Sequence, residues 1–297
     1  MKKNKRELVL DLLDGQTRSP YVPAGFFIHF DPEHHRGQAA IDRHVEYFRF
    51  TDMDFVKIQY EGGFPRQTEI EKPADWARFS APGKDFYEEP LRVVEGLVKA
   101  VKKEALVVVT LYSPFMLASR VIDKARMVEH IENEPDLARK GIEIATQSLL
   151  LFVRECIRLG VDGFYASTQG GERGRFSRPE LFTECVKPYD LRIWKEISAA
   201  CRFNILHVCD YHLPYDDLTP FLDYPGDVVS CPLHLRGEKL SPRRAAELFG
   251  RPALGGMDRK GVIAQGSHEQ IRAEVEGLLA GCRVGGVQGS HQVGQSW

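Results

Sequence analysis

The chain has 297 residues, of which 43% are hydrophobic and 28% are charged. Forty lysines and arginines stand against 42 aspartates and glutamates, so there is no basic surplus to bind nucleic acid or anionic lipid. The hydrophobic content excludes a disordered chain, and no apolar run reaches the roughly 20 residues that span a membrane. These values predict a globular protein whose partner is a small molecule.

The first residues, MKKNKRELVLDLLDG, predict a short amphipathic helix that stops at Gly15, rather than an export signal. The chain begins with lysines, but two aspartates interrupt the apolar part and no small-residue cleavage site follows. Leu8, Leu12 and Leu13 are expected on its buried side. The six cysteines lack the spacing of a disulfide framework, so we expect reduced thiols and a cytoplasmic location.

Short apolar runs alternate with longer helical segments along the rest of the chain. Most are continuous runs of four to eight residues, which is typical of parallel strands covered on both faces. We predict eight strands, at Val22–His29, Phe55–Gln59, Ala105–Leu111, Gly163–Ala166, Asn204–Val208, Val228–Cys231, Ala253–Gly256 and Arg283–Gln288.

The helical segments between these runs carry recognisable start and stop signals. Ser177 and Ser267 each begin a capping box, and Ser241 precedes a proline in a first turn. The longest predicted helix, Leu137–Leu159, ends at Gly160.

Eight strands in regular alternation with helices favour a closed (β/α)8 TIM barrel over an open sheet. No G-x-G-x-x-G follows the first strand, which disfavours a dinucleotide-binding fold. Nothing marks a linker, so we predict a single domain over residues 1–297. The barrel lacks a final helix after the predicted eighth strand. Either a neighbour, such as the second copy in a homodimer, is expected to cover that face, or the chain is a truncated version of a longer protein.

In such barrels the active site lies at the carboxyl ends of the strands. The residues just after the predicted strands are therefore candidates for the site: His29, Glu61, Ser113, Ser167, His207, Cys209, His234 and Asp258.

His207-Val208-Cys209 is the sharpest local signal. Residues two apart on a strand point the same way, so an imidazole and a thiolate converge on one ion, and this donor pair suits zinc. The alternative is a packed cysteine beside a hydrogen-bonded histidine. Cys231, Cys282 and His291 are the candidates to complete a metal site.

A glycine-rich stretch follows the fourth strand at residues 170–174. It lacks the Lys-Ser/Thr of a P-loop, so we interpret it as a flexible loop over the site rather than a nucleotide site. Arg173 and Arg175 are either carboxylate-binding groups or solvated side chains.

Several segments together resemble the uroporphyrinogen decarboxylase superfamily, which includes zinc-dependent methyltransferases that act on corrinoid proteins and thiols. The resemblance implies the same barrel fold. It rests on segments in family order that cover most of the chain: His44–Tyr60, Ser113–Ser119, Gly163–Tyr189, Ile205–Asp210 and Leu254–Arg272.

The family's decarboxylases carry an arginine-rich segment after the first strand, which is missing from residues 28–33 here. By resemblance, the catalytic aspartate of the family falls on Glu61, its active-site tyrosine near Arg120, and its serine on Ser167. The loss of cations counts against a multiply anionic porphyrinogen as substrate.

The methyltransferase branch carries H-x-C after its fifth strand, which His207 and Cys209 match. The resemblance implies that they bind zinc, which lowers the pKa of a thiol substrate. The third ligand of the branch is a cysteine after the eighth strand, and His291 is the residue in that neighbourhood that we expect to replace it.

We therefore expect zinc-assisted methyl transfer involving a small-molecule substrate and a corrinoid carrier protein. His29, Glu61 and Ser167 are the predicted catalytic groups, and Arg120, Tyr165 and Asp258 the predicted substrate contacts. Two alternatives remain: decarboxylation of a less anionic acid, with Arg120 holding the carboxylate, and tetrapyrrole binding without catalysis.

Overall fold

The structure is a computed structural model that describes residues 3–14, 21–60, 62–258, 260–283 and 293–296, with main chain only for 281–283 and 293–296. Its strands are β1 Ala24–Phe27, β2 Phe55–Ile58, β3 Leu106–Tyr112, β4 Gly163–Thr168, β5 Ile205–Val208, β6 Val228–Ser230, β7 His234–Leu235, β8 Glu238–Lys239 and β9 Val293–Ser296. Its α-helices are α1 Lys5–Leu13, α2 Gly37–Thr51, α3 Glu88–Val101, α4 Pro114–Ile122, α5 Lys124–Asn133, α6 Pro135–Leu159, α7 Glu180–Cys185, α8 Lys187–Ala200, α9 Pro242–Phe249, α10 Val262–Gln265 and α11 His268–Arg283.

The strands that form the barrel wall are parallel and follow chain order. Hydrogen bonds join β2, β3, β4, β5 and β6, in that order, in one sheet of five strands. A parallel bridge from Val229 to Ala253 continues this sheet. β9 pairs in parallel with β1, with Ala24 opposite Val293, so the last described strand lies beside the first. This order is that of a (β/α)8 barrel.

Two separate hydrophobic clusters support the same architecture. The outer cluster packs the helices against the strands, whereas an inner cluster collects side chains from seven successive strand positions. Closed barrels fill their interior with such inward-facing layers. The inner cluster contains Val9, Phe27, Phe55, Leu106, Val108, Tyr165, Phe203, Ile205, Val228 and Leu254.

The first six strand predictions are confirmed with small shifts at their ends, but the last two differ. Ala253–Gly256 forms only a bridge at Ala253, since Gly255 and Gly256 adopt φ values of +137° and +134° that end the extended backbone. The predicted strand Arg283–Gln288 is wrong at its start, because Arg283 ends α11, and its other residues lie outside the described ones. The last described strand is β9.

Three helix signals are confirmed and one is wrong. The Ser241 side chain accepts a hydrogen bond from the main-chain N–H of Arg244 at 3.1 Å, and Ser267 forms its box with Gln270. Gly160 ends α6 with φ +89°. Ser177 does not cap α7, which begins at Glu180 after Pro179.

Helix α1 lies against the amino end of the strands. Its fully buried residue is Val9, with Leu10 and Leu13 partly buried, so the predicted face is offset. Arg6 anchors the helix through two hydrogen bonds to the Asp162 carboxylate, at 2.6 and 2.7 Å. No helix in the described part of the chain is long and apolar enough to cross a membrane.

Candidate active site

A cavity of about 300 Å³ opens at the carboxyl ends of the strands, and we call it the first cavity. Parallel strands place residues that are distant in sequence at this one rim. Six of the predicted site residues line it: His29, Arg120, Tyr165, Ser167, His207 and Cys209.

Three other residues predicted as catalytic groups, substrate contacts or metal ligands are not among the described residues that line this cavity. Glu61 and His291 lie outside the described residues. Asp258 lines a neighbouring cavity of about 230 Å³, the second cavity, which shares His207 with the first. The neighbouring cavity also contains His234, while Ser113 caps helix α4 instead of facing either cavity.

Lys57 is a buried cation in the wall of the first cavity, only 8% exposed. Its ammonium group donates hydrogen bonds to the side chains of Gln59 and Thr110, the latter at 3.2 Å. It also lies 5.0 Å from the ring centroid of Phe27 and 5.1 Å from that of Tyr165. Two aromatic faces and two neutral side-chain oxygens help to hold this ammonium group in place.

Arg120 supplies a second cation to the same cavity. Its guanidinium lies 4.4 Å from the ring centroid of Tyr112 and donates a hydrogen bond to the carbonyl of Gly62 at 2.8 Å. Among the described residues, no aspartate or glutamate lines the first cavity. The described wall is therefore cationic.

Charges of both signs lie near the cavity mouth. Lys124 is half-buried and donates a hydrogen bond to Gln169 Oε1 at 2.6 Å. Burial, followed by the positive charges of Lys124 and Arg175, lowers the pKa of His212, while the Glu172 carboxylate acts in the opposite direction.

His207 is oriented by two neighbours. Its ring stacks on Tyr165 with centroids 4.7 Å apart, and its Nδ1 lies 3.2 Å from Ser230 Oγ. The Tyr165 hydroxyl lies 3.4 Å from the same Ser230 oxygen. These contacts hold the imidazole at the boundary of the two cavities.

Cys209 continues the line of β5 beyond His207, because its main-chain N–H donates to the carbonyl of Thr168 at 3.1 Å. The Gln169 amide donates a hydrogen bond to its sulfur at 3.2 Å. Burial raises the pKa of the thiol, and the Gln169 hydrogen bond acts in the opposite direction. The side chain is therefore a protonated thiol at neutral pH unless a cation binds it.

The donor set for a metal is incomplete in the described structure. His207 and Cys209 are the nitrogen and sulfur donors that zinc prefers, and both line the first cavity. Among the described residues, however, no three His, Cys, Asp or Glu side chains form a group that could hold a metal ion. The sequence placed His291 just after the eighth strand. The last described strand instead begins at Val293, so His291 precedes it in the chain.

The loop at residues 170–174 is tied down rather than freely solvated. Arg175 forms a buried ion pair with Glu172 at 2.8 Å, and the Glu172 carboxylate also accepts a hydrogen bond from the main-chain N–H of Gly170 at 2.6 Å. Arg173 pairs with Asp216. Arg175 is therefore buried against an acidic residue of the chain itself, whereas Arg173 is half exposed, as the solvated alternative expects.

Sequence reasoning missed Lys57, Gln59, Lys124 and Gln169. The signal for Lys57 was available, because a lysine inside the apolar run Phe55–Ile58 of a barrel strand needs a polar interior to face. Gln169 gave no such signal, since its role depends on Lys124 and Cys209, which are distant in the sequence.

Comparisons with known proteins agree with this architecture. A methyltransferase from Methanosarcina mazei aligns with a TM-score of 0.74 at 15% identity, over 99% of this chain and 94% of the other. A B12-independent methionine synthase from Shewanella sp. W3-18-1, solved in complex with selenomethionine, aligns with a TM-score of 0.52 at 11% identity, over 93% of this chain and 90% of the other. At these identities the likeness establishes the fold alone.

A search of curated proteins found no match. Residues 54–291 match the family described as uroporphyrinogen decarboxylase (URO-D), a region that contains β2 to β8 and all the described residues of the first cavity except His29. With the barrel order of its strands and a cavity at their carboxyl ends, the chain belongs to the uroporphyrinogen decarboxylase (URO-D) family.

Proposed function

We propose that the chain is a methyltransferase of the URO-D family whose thiol or methyl-donor substrate is a small anion, with a corrinoid carrier as the other reactant. The observation that carries the proposal is the meeting of His207 and Cys209 with two cations, Lys57 and Arg120, in one cavity. The shared fold with a methyltransferase is consistent with this reaction.

The two cations indicate that the substrate is an anion. Lys57 is fixed as a point charge at the cavity wall, and Arg120 presents a planar fork of donors beside it. Each charge-assisted hydrogen bond to a carboxylate or sulfonate is stronger than a neutral one. A substrate anchored by these groups would have its reactive end directed toward His207 and Cys209.

The remaining residues orient the substrate and move its proton. His29 lies at the cavity rim, with Nδ1 3.4 Å from Gln59 Nε2, and is the proposed acceptor of the thiol proton. Zinc, when bound by His207, Cys209 and a third ligand, would lower the pKa of the substrate thiol. Ser167 is the proposed hydroxyl contact to the substrate.

The test is thiol-dependent demethylation of methylcobalamin with two matched thiols. 3-Mercaptopropionate and 3-mercapto-1-propanol have equal chain lengths and differ in their charge. We expect faster demethylation with the anionic thiol, and we expect Lys57→Met and Arg120→Met each to reduce that preference about tenfold or more. Lys195→Met, an exposed site on α8, is the matched control.

Equal rates with the two thiols would contradict the anionic substrate, and no demethylation with any thiol would contradict methyl transfer. Binding of methylcobalamin without turnover would favour the tetrapyrrole-binding alternative.

Decarboxylation is the second candidate, because Arg120 and Ser167 share the cationic cavity. CO2 release from small carboxylic acids without a methyl acceptor, lost in Ser167→Ala, would favour it over methyl transfer.

A further inference from the structure

The first and second cavities adjoin at one residue. His207 lines both, and no other described residue does. The loops after β5 and β6, the bridge residues after Ala253, and the β7–β8 hairpin form the second cavity. The second cavity is therefore a separate space beside the proposed site of methyl transfer.

The two cavities differ in charge. Among the described residues, the first is lined by Lys57 and Arg120 without a carboxylate, whereas the second is lined by two acidic and two basic side chains. These are Asp210 and Asp258 on one hand and Lys239 and Lys260 on the other. A simple anion would suit the first cavity, but at the second it would meet charges of both signs.

Two glycines form part of the wall of the second cavity. Gly255 and Gly256 have φ values of +137° and +134°, a conformation that L side chains rarely adopt. A Cβ atom on Gly255 would meet nothing within 4 Å, so the main chain there borders open space. A Cβ atom on Gly256 would instead lie 3.3 Å from Leu278. The wall at Gly255 therefore leaves room for a ligand.

The same wall has an apolar part. Leu254 and Met257 are buried, and Leu233 lies beside them along the cavity lining. Asp258 stands next to this part, with its carboxylate accepting a hydrogen bond from the main-chain N–H of Lys260 at 2.9 Å. Carboxylates, ammonium groups and an apolar surface therefore line one small space.

We propose that the second cavity binds a zwitterion of the amino acid class with an apolar side chain. Asp258 and Asp210 face its ammonium group, Lys239 and Lys260 its carboxylate, and Leu254 and Met257 its side chain. This assignment concerns binding alone and does not depend on the proposed methyl transfer.

The test is a titration of the whole protein with three matched probes, followed through the amide NMR signals of Gly255 and Gly256. L-Leucine carries both charges, 4-methylpentanoate lacks the ammonium group, and 3-methylbutylamine lacks the carboxylate. We expect L-leucine to shift both signals and to bind at least tenfold more tightly than either partial probe. Asp258→Asn should weaken L-leucine at least fivefold and leave 4-methylpentanoate unchanged or stronger, while Lys57→Met should leave L-leucine binding intact.

Several results would overturn the assignment. They are equal affinity for L-leucine and 4-methylpentanoate, tighter binding of inorganic phosphate than of L-leucine, and L-leucine shifts confined to the first cavity. Binding of L-leucine in a protein that transfers no methyl group would sustain this assignment and reject the proposed reaction. Methyl transfer without L-leucine binding would do the reverse.

Discussion

Asp190 is a fully buried carboxyl group on α8, behind the strand that carries Ser167. Its Oδ2 accepts hydrogen bonds from Thr168 at 2.5 Å and Tyr224 at 3.1 Å, while its Oδ1 has no partner among the described atoms. Burial raises its pKa to about 7, and the two hydrogen bonds act against that rise. The Asp190 carboxyl group therefore stays protonated to a higher pH in the folded chain than in the unfolded chain.

The raised pKa predicts a stability that falls as pH rises. The folded state binds the proton more tightly than the unfolded state, so the contribution is complete below about pH 4 and is lost as pH rises through about 7. Asp190→Asn keeps an acceptor for Thr168 but cannot ionise. We expect its free energy of unfolding to fall less between pH 5 and pH 8 than that of the wild type, by up to roughly 3 kcal/mol.

Urea titrations at several pH values measure this difference. Parallel pH profiles for Asp190→Asn and the wild type would show that the carboxyl group does not titrate on unfolding.

At the scale of the elements, the close approach of β4 to the segment just before β5 depends on Gly163. A Cβ atom there would lie 1.8 Å from the main-chain oxygen of Phe203, which precedes β5. The N–H of Phe203 donates to the carbonyl of Asp162 at 3.0 Å, so main chain packs directly on main chain at this point. An added Cβ atom would therefore clash with main-chain atoms, which cannot move aside as the end of a flexible side chain could.

Gly163→Ala should therefore destabilise the protein by about 3 kcal/mol, at the upper end of the cost of overpacking. Gly277 in α11 is the matched control, because an added Cβ there meets nothing within 4 Å and the glycine is exposed inside a helix. Gly277→Ala is expected to stabilise the protein by about 1 kcal/mol. Thermal melts that give both variants the same sign would contradict the account of Gly163.

At the scale of the whole molecule, the barrel decides which donors can share a metal. His207 and Cys209 share the first cavity, whereas Cys231 lines the second. We predict about one zinc per chain in protein purified without chelators, lost in Cys209→Ser but kept in Cys231→Ser. Elemental analysis of the three proteins measures this.

The same measurement on His291→Ala examines the third ligand expected from the sequence. Loss of zinc equal to that in Cys209→Ser would assign His291 to the site, and full retention would remove it. Wild-type protein without zinc would remove the metal from the proposed reaction and leave His207 and Cys209 as an orienting pair.

Local sequence signals predicted elements well where one interaction dominates. Continuous apolar runs correspond to β2 to β6, and the caps at Ser241 and Ser267 form because a serine hydroxyl needs only the next turn of its own helix. The prediction at Ser177 was wrong because α7 begins later, at Glu180 after Pro179. The main-chain N–H of Ser177 instead donates a hydrogen bond to the side chain of Glu132, which is distant in sequence. This contact depends on the tertiary structure.

The sequence by itself determined the alternation of strands and helices, the family, and the placement of His29, Ser167, His207 and Cys209 at strand ends. These follow from local periodicity and from the rule that parallel strands end at one rim. Only the tertiary structure decided that Arg173 and Arg175 are held by acidic residues, that Lys57 faces the cavity, and that Asp258 belongs to a second cavity beside it. Charge pairing and cavity walls depend on distances across the barrel, and such distances join residues whose separation in sequence carries no periodic signal.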